Sequence, residues 1–132
     1  MAALEEPEYF AELRERGYTV IENVLTPDET ETALTSFKNW ENSVPGLHEY
    51  HKKYNAHGIY KFHQAGHQRH AWYIRTRPTV QNVFKQLYNT DELVTSFDSC
   101  THIPLGTKKK KSFWCHYDSK DREPSFYQVL LV

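Results

Sequence analysis

The sequence has little cysteine and no long apolar run. Its two cysteines, Cys100 and Cys115, form no Cys-x-x-Cys pair, which excludes the disulfide framework of a small secreted scaffold and the spacing of a zinc ribbon. No stretch approaches the roughly 18 to 20 uncharged residues of a membrane span. The amino-terminal MAALEEPEYF is acidic, where a secretory signal would be basic and then apolar. These absences predict a soluble protein without a membrane span, in the cytoplasm or another reducing intracellular compartment.

The composition is that of a folded chain. Of its 132 residues, 39% are hydrophobic and 25% are charged, which is far from the profile of a disordered protein. This length is close to the commonest size of one domain. We therefore expect residues 1–132 to form a single domain or part of one.

Charge is divided unevenly along the chain. Residues 1–49 carry eleven acidic and three basic side chains, whereas residues 50–132 carry six acidic and thirteen basic ones. The resulting charges of −8 and +7 could indicate an anionic ligand or nucleic acid for the basic part, or two parts that pack against each other. The lysines at 108–111 are more typical of a solvated loop, so nucleic acid is the less favoured partner.

Local patterns predict a helix, a strand, a helix, a loop and a helix in that order, followed by strands alone. Helices are expected at 7–16, 27–40 and 78–89, and strands at 18–24, 93–100, 112–118 and 125–132. Thr26, Pro27 and Glu29 form the best helix start in the chain, with a capping box. The helix that follows is expected to bury Ala33, Leu34, Phe37 and Trp40. Residues 47–76 have no sustained period and are expected to be mostly loop. This order predicts an α+β fold, with amino-terminal helices buttressing a mostly antiparallel sheet.

His116 and Asp118 are the first candidates for chemistry. They lie two residues apart in a predicted strand, and alternate residues of a strand project from the same face. An imidazole and a carboxylate would therefore converge on one point. They match two of the three ligands in the facial triad of non-haem Fe(II) oxygenases, which use two histidines and one carboxylate. A surface histidine beside a hydrogen-bonded aspartate is the alternative.

Several segments occur around this pair in a characteristic order. They are GYTVIENVLTPDE at 17–29, GHQ at 66–68, WYIR at 72–75, PTVQNVF at 78–84, LVTSFD at 93–98 and WCHYD at 114–118. The first looks like the amino-terminal strand and helix of the phytanoyl-CoA dioxygenase-like family of Fe(II)- and 2-oxoglutarate-dependent oxygenases. The last resembles that family's proximal metal motif, and the likeness spans about residues 17–132.

The resemblance implies a double-stranded β-helix in which His116 and Asp118 bind Fe(II) together with a distal histidine. 2-Oxoglutarate would chelate the metal as co-substrate, and its oxidative decarboxylation to succinate would drive hydroxylation of a substrate C–H bond. Phe113 matches a position that often lines the co-substrate pocket, and Gln128 matches one that can face co-substrate or substrate. The expected function is a dioxygenase acting on a small-molecule or lipid-like substrate that the sequence does not identify.

The chain departs from the family after its last predicted strand. A complete member continues into a glycine-rich turn, a distal histidine and an arginine that pairs with 2-oxoglutarate, and none of these follows Val132. Two ligands alone would hold Fe(II) weakly. We therefore expect an incomplete β-helix, from a fragment or truncated relative with little or no activity. The alternative is a non-catalytic interaction module that uses the open strand at 125–132 for self-association or partner binding.

Three histidines could form another metal site. His63, His67 and His70 would line one face if their segment were helical, although Gly66 argues against a stable helix there. Solvated or hydrogen-bonded loop histidines are the alternative. The nearby Arg75 and Arg77 could help to bind an anionic substrate.

Two cysteine–histidine pairs could also meet. Cys100 and His102 would form a zinc site with Cys115 and His116 if their two strands paired, but the spacing matches no common pattern. Buried thiols in a sheet are the favoured alternative.

Overall fold

The computed structural model describes residues 6–55, 57–95 and 99–106 together with Tyr127. Within these ranges the α-helices α1 to α5 span Glu8–Arg16, Pro27–Ser43, Leu47–Tyr54, Arg69–Arg75 and Pro78–Tyr88. A 3-10 helix spans Ala65–His67, and strands β1 and β2 span Ile59–Tyr60 and Cys100–Thr101. None of the helices in these ranges has the length and apolarity that a bilayer crossing requires.

The expected α+β fold is wrong for this part of the chain, which is mostly helical. Among the described residues, five α-helices accompany one sheet of two antiparallel strands, each two residues long. This sheet is not the predicted mostly antiparallel sheet, and the incomplete double-stranded β-helix is not formed in these ranges. Of the strand expected at 93–100, residues 93–95 are irregular and Cys100 alone belongs to a described strand. The strands predicted at 112–118 and 125–132 lie outside the described residues.

The strand predicted at 18–24 is also wrong, because these residues form an irregular segment between α1 and α2. Their β-branched side chains suit a strand, but a strand is stable only beside a partner. The described residues place no neighbouring strand next to this segment. The β-propensity of residues 18–24 therefore does not lead to a strand in the described part of the chain.

The predicted helix ends are confirmed where the signal is local. Gly17 and Asn89 follow α1 and α5 with left-handed φ values of 76° and 50°, as expected of residues that end a helix. At the start of α2, the Glu29 N–H donates to Thr26 Oγ1 at 3.2 Å and the Thr26 N–H donates to the Glu29 carboxylate at 3.0 Å. Both hydrogen bonds of the predicted capping box are therefore present.

Residues 47–76, predicted to be mostly loop, contain α3, β1, the 3-10 helix and α4. Helices α3 and α4 have only eight and seven residues, too short to be stable alone in water. Helix α4 packs chiefly against α2. The stability of these helices therefore comes from tertiary contacts, which sequence periodicity does not report.

The core is aromatic and lies where α2, α3 and β1 meet. Its buried members are Trp40, Leu47, Tyr60 and Ala65, with Phe37, Val44 and Cys100 packed against them. The predicted buried stripe of α2 is confirmed at Ala33 and Trp40 but wrong at Leu34, which is 42% exposed. The face of α2 that meets α4 is the face of Phe37 and Trp40, and both rings contact His70.

A close backbone approach at Gly58 brings the end of β2 against β1. The His102 N–H donates to the Gly58 carbonyl at 2.9 Å, and Gly58 has a left-handed φ of 75°. A Cβ atom at this position would lie 2.6 Å from the His102 carbonyl oxygen. Only glycine fits both the conformation and the space, and the approach places His102 beside the core.

Candidate functional site

Four polar side chains form a hydrogen-bonded network at the edge of the core. The Tyr60 hydroxyl donates to Glu41 Oε1 at 2.9 Å, and His48 Nδ1 lies 2.9 Å from the same hydroxyl. His102 Nδ1 lies 2.7 Å from Glu41 Oε1. These residues come from α2, α3, β1 and the position after β2, so the fold brings together groups that are far apart in sequence. We call them the Glu41 network.

The directions of these hydrogen bonds follow from the available protons. Tyr60 has a single hydroxyl proton, which it donates to Glu41, so the hydroxyl oxygen accepts from the Nδ1–H of His48. An ionised carboxylate has only acceptors, so His102 also donates its Nδ1–H to Glu41. The network therefore directs one O–H and one N–H at a single carboxylate oxygen, and a second imidazole supports the O–H donor.

Tyr60 is fully buried in this network, at 0% exposure. Burial raises the pKa of its hydroxyl, and the hydrogen bond to Glu41 and the negative charge of that carboxylate raise it further. The hydroxyl therefore stays protonated at neutral pH and remains a donor. This favours a positioning role for Tyr60 over a role as base or nucleophile.

The Glu41 network does not form a metal site. In the described ranges, no group of three or more His, Cys, Asp or Glu side chains is arranged to hold a metal ion. The Nδ1 atom of His102 is already committed to Glu41. The zinc site considered for Cys100 and His102 would need Cys115 and His116, which lie outside the described residues.

The predicted metal ligands His116 and Asp118 also lie outside the described residues. The same holds for the predicted co-substrate residues Phe113 and Gln128 and for the lysines at 108–111. Their assignments therefore stay predictions.

The three histidines at 63, 67 and 70 do not share a helical face. His63 has a left-handed φ of 54°, His67 ends the 3-10 helix and His70 lies in α4. The ring of His63 packs 5.2 Å from that of Tyr50, whereas His70 is buried against α2. Because the three residues have different local conformations, their side chains do not share the face that their spacing in the sequence predicted.

His51 is a buried histidine that sequence analysis missed. It is 1% exposed, and its Nδ1 lies 2.9 Å from the Leu47 carbonyl oxygen. The Phe62 N–H donates to its Nε2 at 3.0 Å, which fixes the neutral tautomer with the proton on Nδ1. The ring therefore ties α3 to the residues that follow β1, and no local pattern indicates this role.

His70 is also buried but has no hydrogen bond to any residue that the structure describes. It is 5% exposed, and neither ring nitrogen has a partner in these ranges. Its ring lies edge-on to Phe37 at 5.2 Å and 5.5 Å from that of Trp40, between centroids. Burial, with a smaller contribution from the charge of Arg75, holds the pKa of His70 below its usual value.

Arg75 and Arg77 make structural contacts that use part of each guanidinium. Arg75 donates to the Gly66 carbonyl at 2.6 Å, and Arg77 donates to the Tyr73 carbonyl at 3.0 Å. Arg77 also lies 3.7 Å from the Glu29 carboxylate. An anionic substrate at these residues would have to compete with contacts that fix the ends of α4 and the start of α5.

A polar groove of about 610 Å³ lies along α2 beside the start of α4. Its lining residues are Glu31, Thr32, Thr35, Ser36, Asn39, Trp40, Ser43, Gln68 and Arg69. Thr35 donates to Glu31 at 3.0 Å, and Ser43 donates to the Trp40 carbonyl at 2.7 Å. Both of these hydroxyl groups donate within α2 itself.

Comparison with known proteins gives one distant relationship. The chain is similar to a protein of Aspergillus versicolor named Ava biosynthesis cluster protein O, with 26% identity over 117 residues. The match covers 81% of this chain but 38% of the relative, so the chain spans less than half the length of this relative. No protein-family model matches the chain. No solved structure matches it either.

Proposed function

We propose that this chain contributes to an Fe(II)- and 2-oxoglutarate-dependent oxygenase of the phytanoyl-CoA dioxygenase type, with His116 and Asp118 as metal ligands. The observation that carries the proposal is the ordered series of family-like segments ending in Trp114-Cys-His116-Tyr-Asp118. Each segment is short, but their order and spacing are more specific than any one of them.

The donor set suits the metal. A neutral imidazole and a carboxylate are two of the three protein ligands of the Fe(II) facial triad. Iron would supply the oxidative step, in which one O2 is consumed, 2-oxoglutarate is decarboxylated to succinate and CO2, and the second oxygen atom hydroxylates a substrate C–H bond. Phe113 and Gln128 would line the co-substrate pocket, where their part is to orient 2-oxoglutarate. The third ligand and the arginine for the far carboxylate of 2-oxoglutarate would come from sequence beyond residue 132.

One further observation supports this function. The Aspergillus versicolor relative is named as a protein of a biosynthesis cluster, which suits an enzyme that modifies a small molecule.

The test is metal binding by the protein together with any sequence that its gene encodes beyond these 132 residues. Anaerobic addition of Fe(II) and 2-oxoglutarate should produce a metal-to-ligand charge-transfer band, and metal analysis should find about one iron per chain. His116→Ala and Asp118→Ala should each abolish the band and lower the iron content, because each removes one ligand.

The matched control is His63→Ala, which removes an exposed histidine outside the proposed ligand set. This variant should keep both the band and the bound iron. A wild-type protein without the band, or a band that survives His116→Ala, would contradict the proposed function.

A further inference from the structure

Two exposed apolar patches of opposite charge lie on the described surface. The first is the aromatic patch, which consists of Tyr50, Tyr54 and Phe62 with Lys53. The second is the acidic segment, residues 18–22, which ends at Glu22. The separation of acidic and basic residues along the sequence is thus also present in the charges of these two apolar surfaces.

The aromatic patch is formed by three rings that pack on one another but remain open to solvent. Tyr50, Tyr54 and Phe62 are 41%, 59% and 43% exposed. The Tyr50 and Tyr54 ring centroids are 5.1 Å apart, and each lies 5.6 Å from that of Phe62. Half-exposed rings of this size leave on the order of 300 Å² of apolar surface. Patches of that size on a monomer are often binding surfaces.

Lys53 gives the aromatic patch its positive charge. Tyr50, Lys53 and Tyr54 occupy positions i, i+3 and i+4 of α3 and therefore share one face. The Lys53 ammonium lies 5.7 Å from the centroid of the Tyr54 ring. The adjacent Lys52 lies 3.7 Å from Glu49, whereas Lys53 has no ion pair within the described part of the chain. Its charge is available to an anionic partner.

The acidic segment has complementary properties. Tyr18 and Val20 are 64% and 75% exposed, and Glu22 is also exposed, while Thr19 and Ile21 are half-buried. Tyr18, Val20 and Glu22 are therefore the solvent-exposed side chains of this irregular segment. The backbone groups of residues 18–22 form no backbone hydrogen bond to any described residue. The segment therefore offers apolar side chains and a carboxylate together, along with backbone groups that have no backbone partner among the described residues.

We propose that the aromatic patch of one copy of this chain docks on the acidic segment of a second copy, with Lys53 opposite Glu22. Tyr54 and Phe62 would cover the exposed Tyr18 and Val20. Two aromatic patches, or two acidic segments, would repel each other, because like charges would then face each other. The contact is therefore head-to-tail. This association goes beyond the proposed function and does not depend on it.

The association is weak, because each patch is smaller than the roughly 800 Å² per partner of a stable specific interface. It should appear at protein concentrations of about 100 µM and weaken as salt screens the charges. Sedimentation velocity of the 132-residue chain over a concentration series, at low and high salt, measures both effects.

Two charge reversals test the pairing of the surfaces. Lys53→Glu and Glu22→Lys should each weaken self-association about tenfold, because each turns an attraction into a repulsion. An equal mixture of the two variants should restore association, since each acidic surface then meets a basic one. Tyr54→Ser should also weaken it about tenfold through lost apolar contact. All three side chains are exposed, and circular dichroism checks that the fold is kept.

The matched control is Lys38→Glu, which makes the same change in charge at an exposed position of α2 and should leave association unchanged. A wild-type chain that stays monomeric at every concentration in low salt would overturn the proposal. It would also be overturned if the mixture of Lys53→Glu and Glu22→Lys failed to associate, or if neither reversal weakened association.

Discussion

The two buried histidines, His51 in α3 and His70 in α4, are both nearly inaccessible to solvent but differ in their hydrogen bonds. Both ring nitrogens of His51 are hydrogen bonded to backbone groups, whereas neither nitrogen of His70 has a partner in the described part of the chain. A buried polar group without a partner costs about 1–3 kcal/mol, whereas a paired one avoids that loss. Burial by itself therefore does not tell whether a polar side chain stabilises the fold. Whether such a side chain stabilises the fold depends on whether its polar atoms have hydrogen-bond partners.

Aromatic packing partly offsets the unpaired nitrogens of His70. Its ring meets Phe37 at an interplanar angle of 87°, an edge-to-face geometry that is worth about 0.5–1.5 kcal/mol in aromatic pairs. Packing of this kind depends on ring shape and not on the ring nitrogens. We therefore expect an apolar aromatic ring to preserve stability at position 70 but not at position 51.

The largest expected effect is the loss of the hydrogen bonds of His51. His51→Leu should lower the free energy of unfolding by about 3 kcal/mol, measured by urea denaturation. The change leaves the Phe62 N–H without its acceptor and removes a ring that packs 4.6 Å from that of Tyr60.

The matched variant His51→Gln retains a side-chain oxygen that can accept from the Phe62 N–H. Its loss should be smaller, about 1 kcal/mol. Equal losses in the two variants would show that the hydrogen bond to Phe62 contributes nothing, and the contrast with His70 would then fail.

A change of opposite sign is expected at position 70. His70→Phe should raise the free energy of unfolding by about 1 kcal/mol, because it removes two unpaired nitrogens and keeps an aromatic ring between α2 and α4. The same urea titration measures it, with His63→Phe as a control at an exposed position. A fall in stability would show that His70 makes a favourable polar interaction.

The smallest effect is a pH dependence that sharpens the same comparison. The pKa of His70 is lowered in the folded state, so the unfolded chain binds a proton near pH 6.5 that the folded chain does not yet bind. Wild-type stability should therefore fall as pH drops through that range, and His70→Phe should lack this loss. The difference between the two proteins should widen by no more than about 1.4 kcal/mol per pH unit. Urea denaturation at several pH values would contradict this if the difference stayed constant.

Part of the fold could be predicted because its causes are local. The capping box of Thr26 and Glu29 involves residues three positions apart, and Gly17 and Asn89 end their helices through their own backbone conformations. The same kind of local reasoning failed at residues 18–24, where a strand needs a distant partner.

The Glu41 network could not be predicted, since its four members share no periodic spacing in the sequence. His116 and Asp118 stood out because a two-residue spacing matches the period of a strand. Glu41 and His102 are 61 positions apart, and only the approach of β2 to β1 at Gly58 brings them together. The sequence therefore predicted a local pair of candidate ligands, whereas no signal in it pointed to a long-range network.

The amino-acid sequence alone determined where α2 and α5 begin and where α1 and α5 end, because helix caps depend on side chains and dihedral angles within about one turn. Helix α2 continues to Ser43, past its predicted end at Trp40. It also determined the separation of acidic and basic charge along the chain. The tertiary structure decided which histidines are buried, which of them find partners, and which apolar side chains stay in water. These outcomes depend on contacts between elements far apart in sequence, where packing overrides the weak preferences of short helices and lone strands.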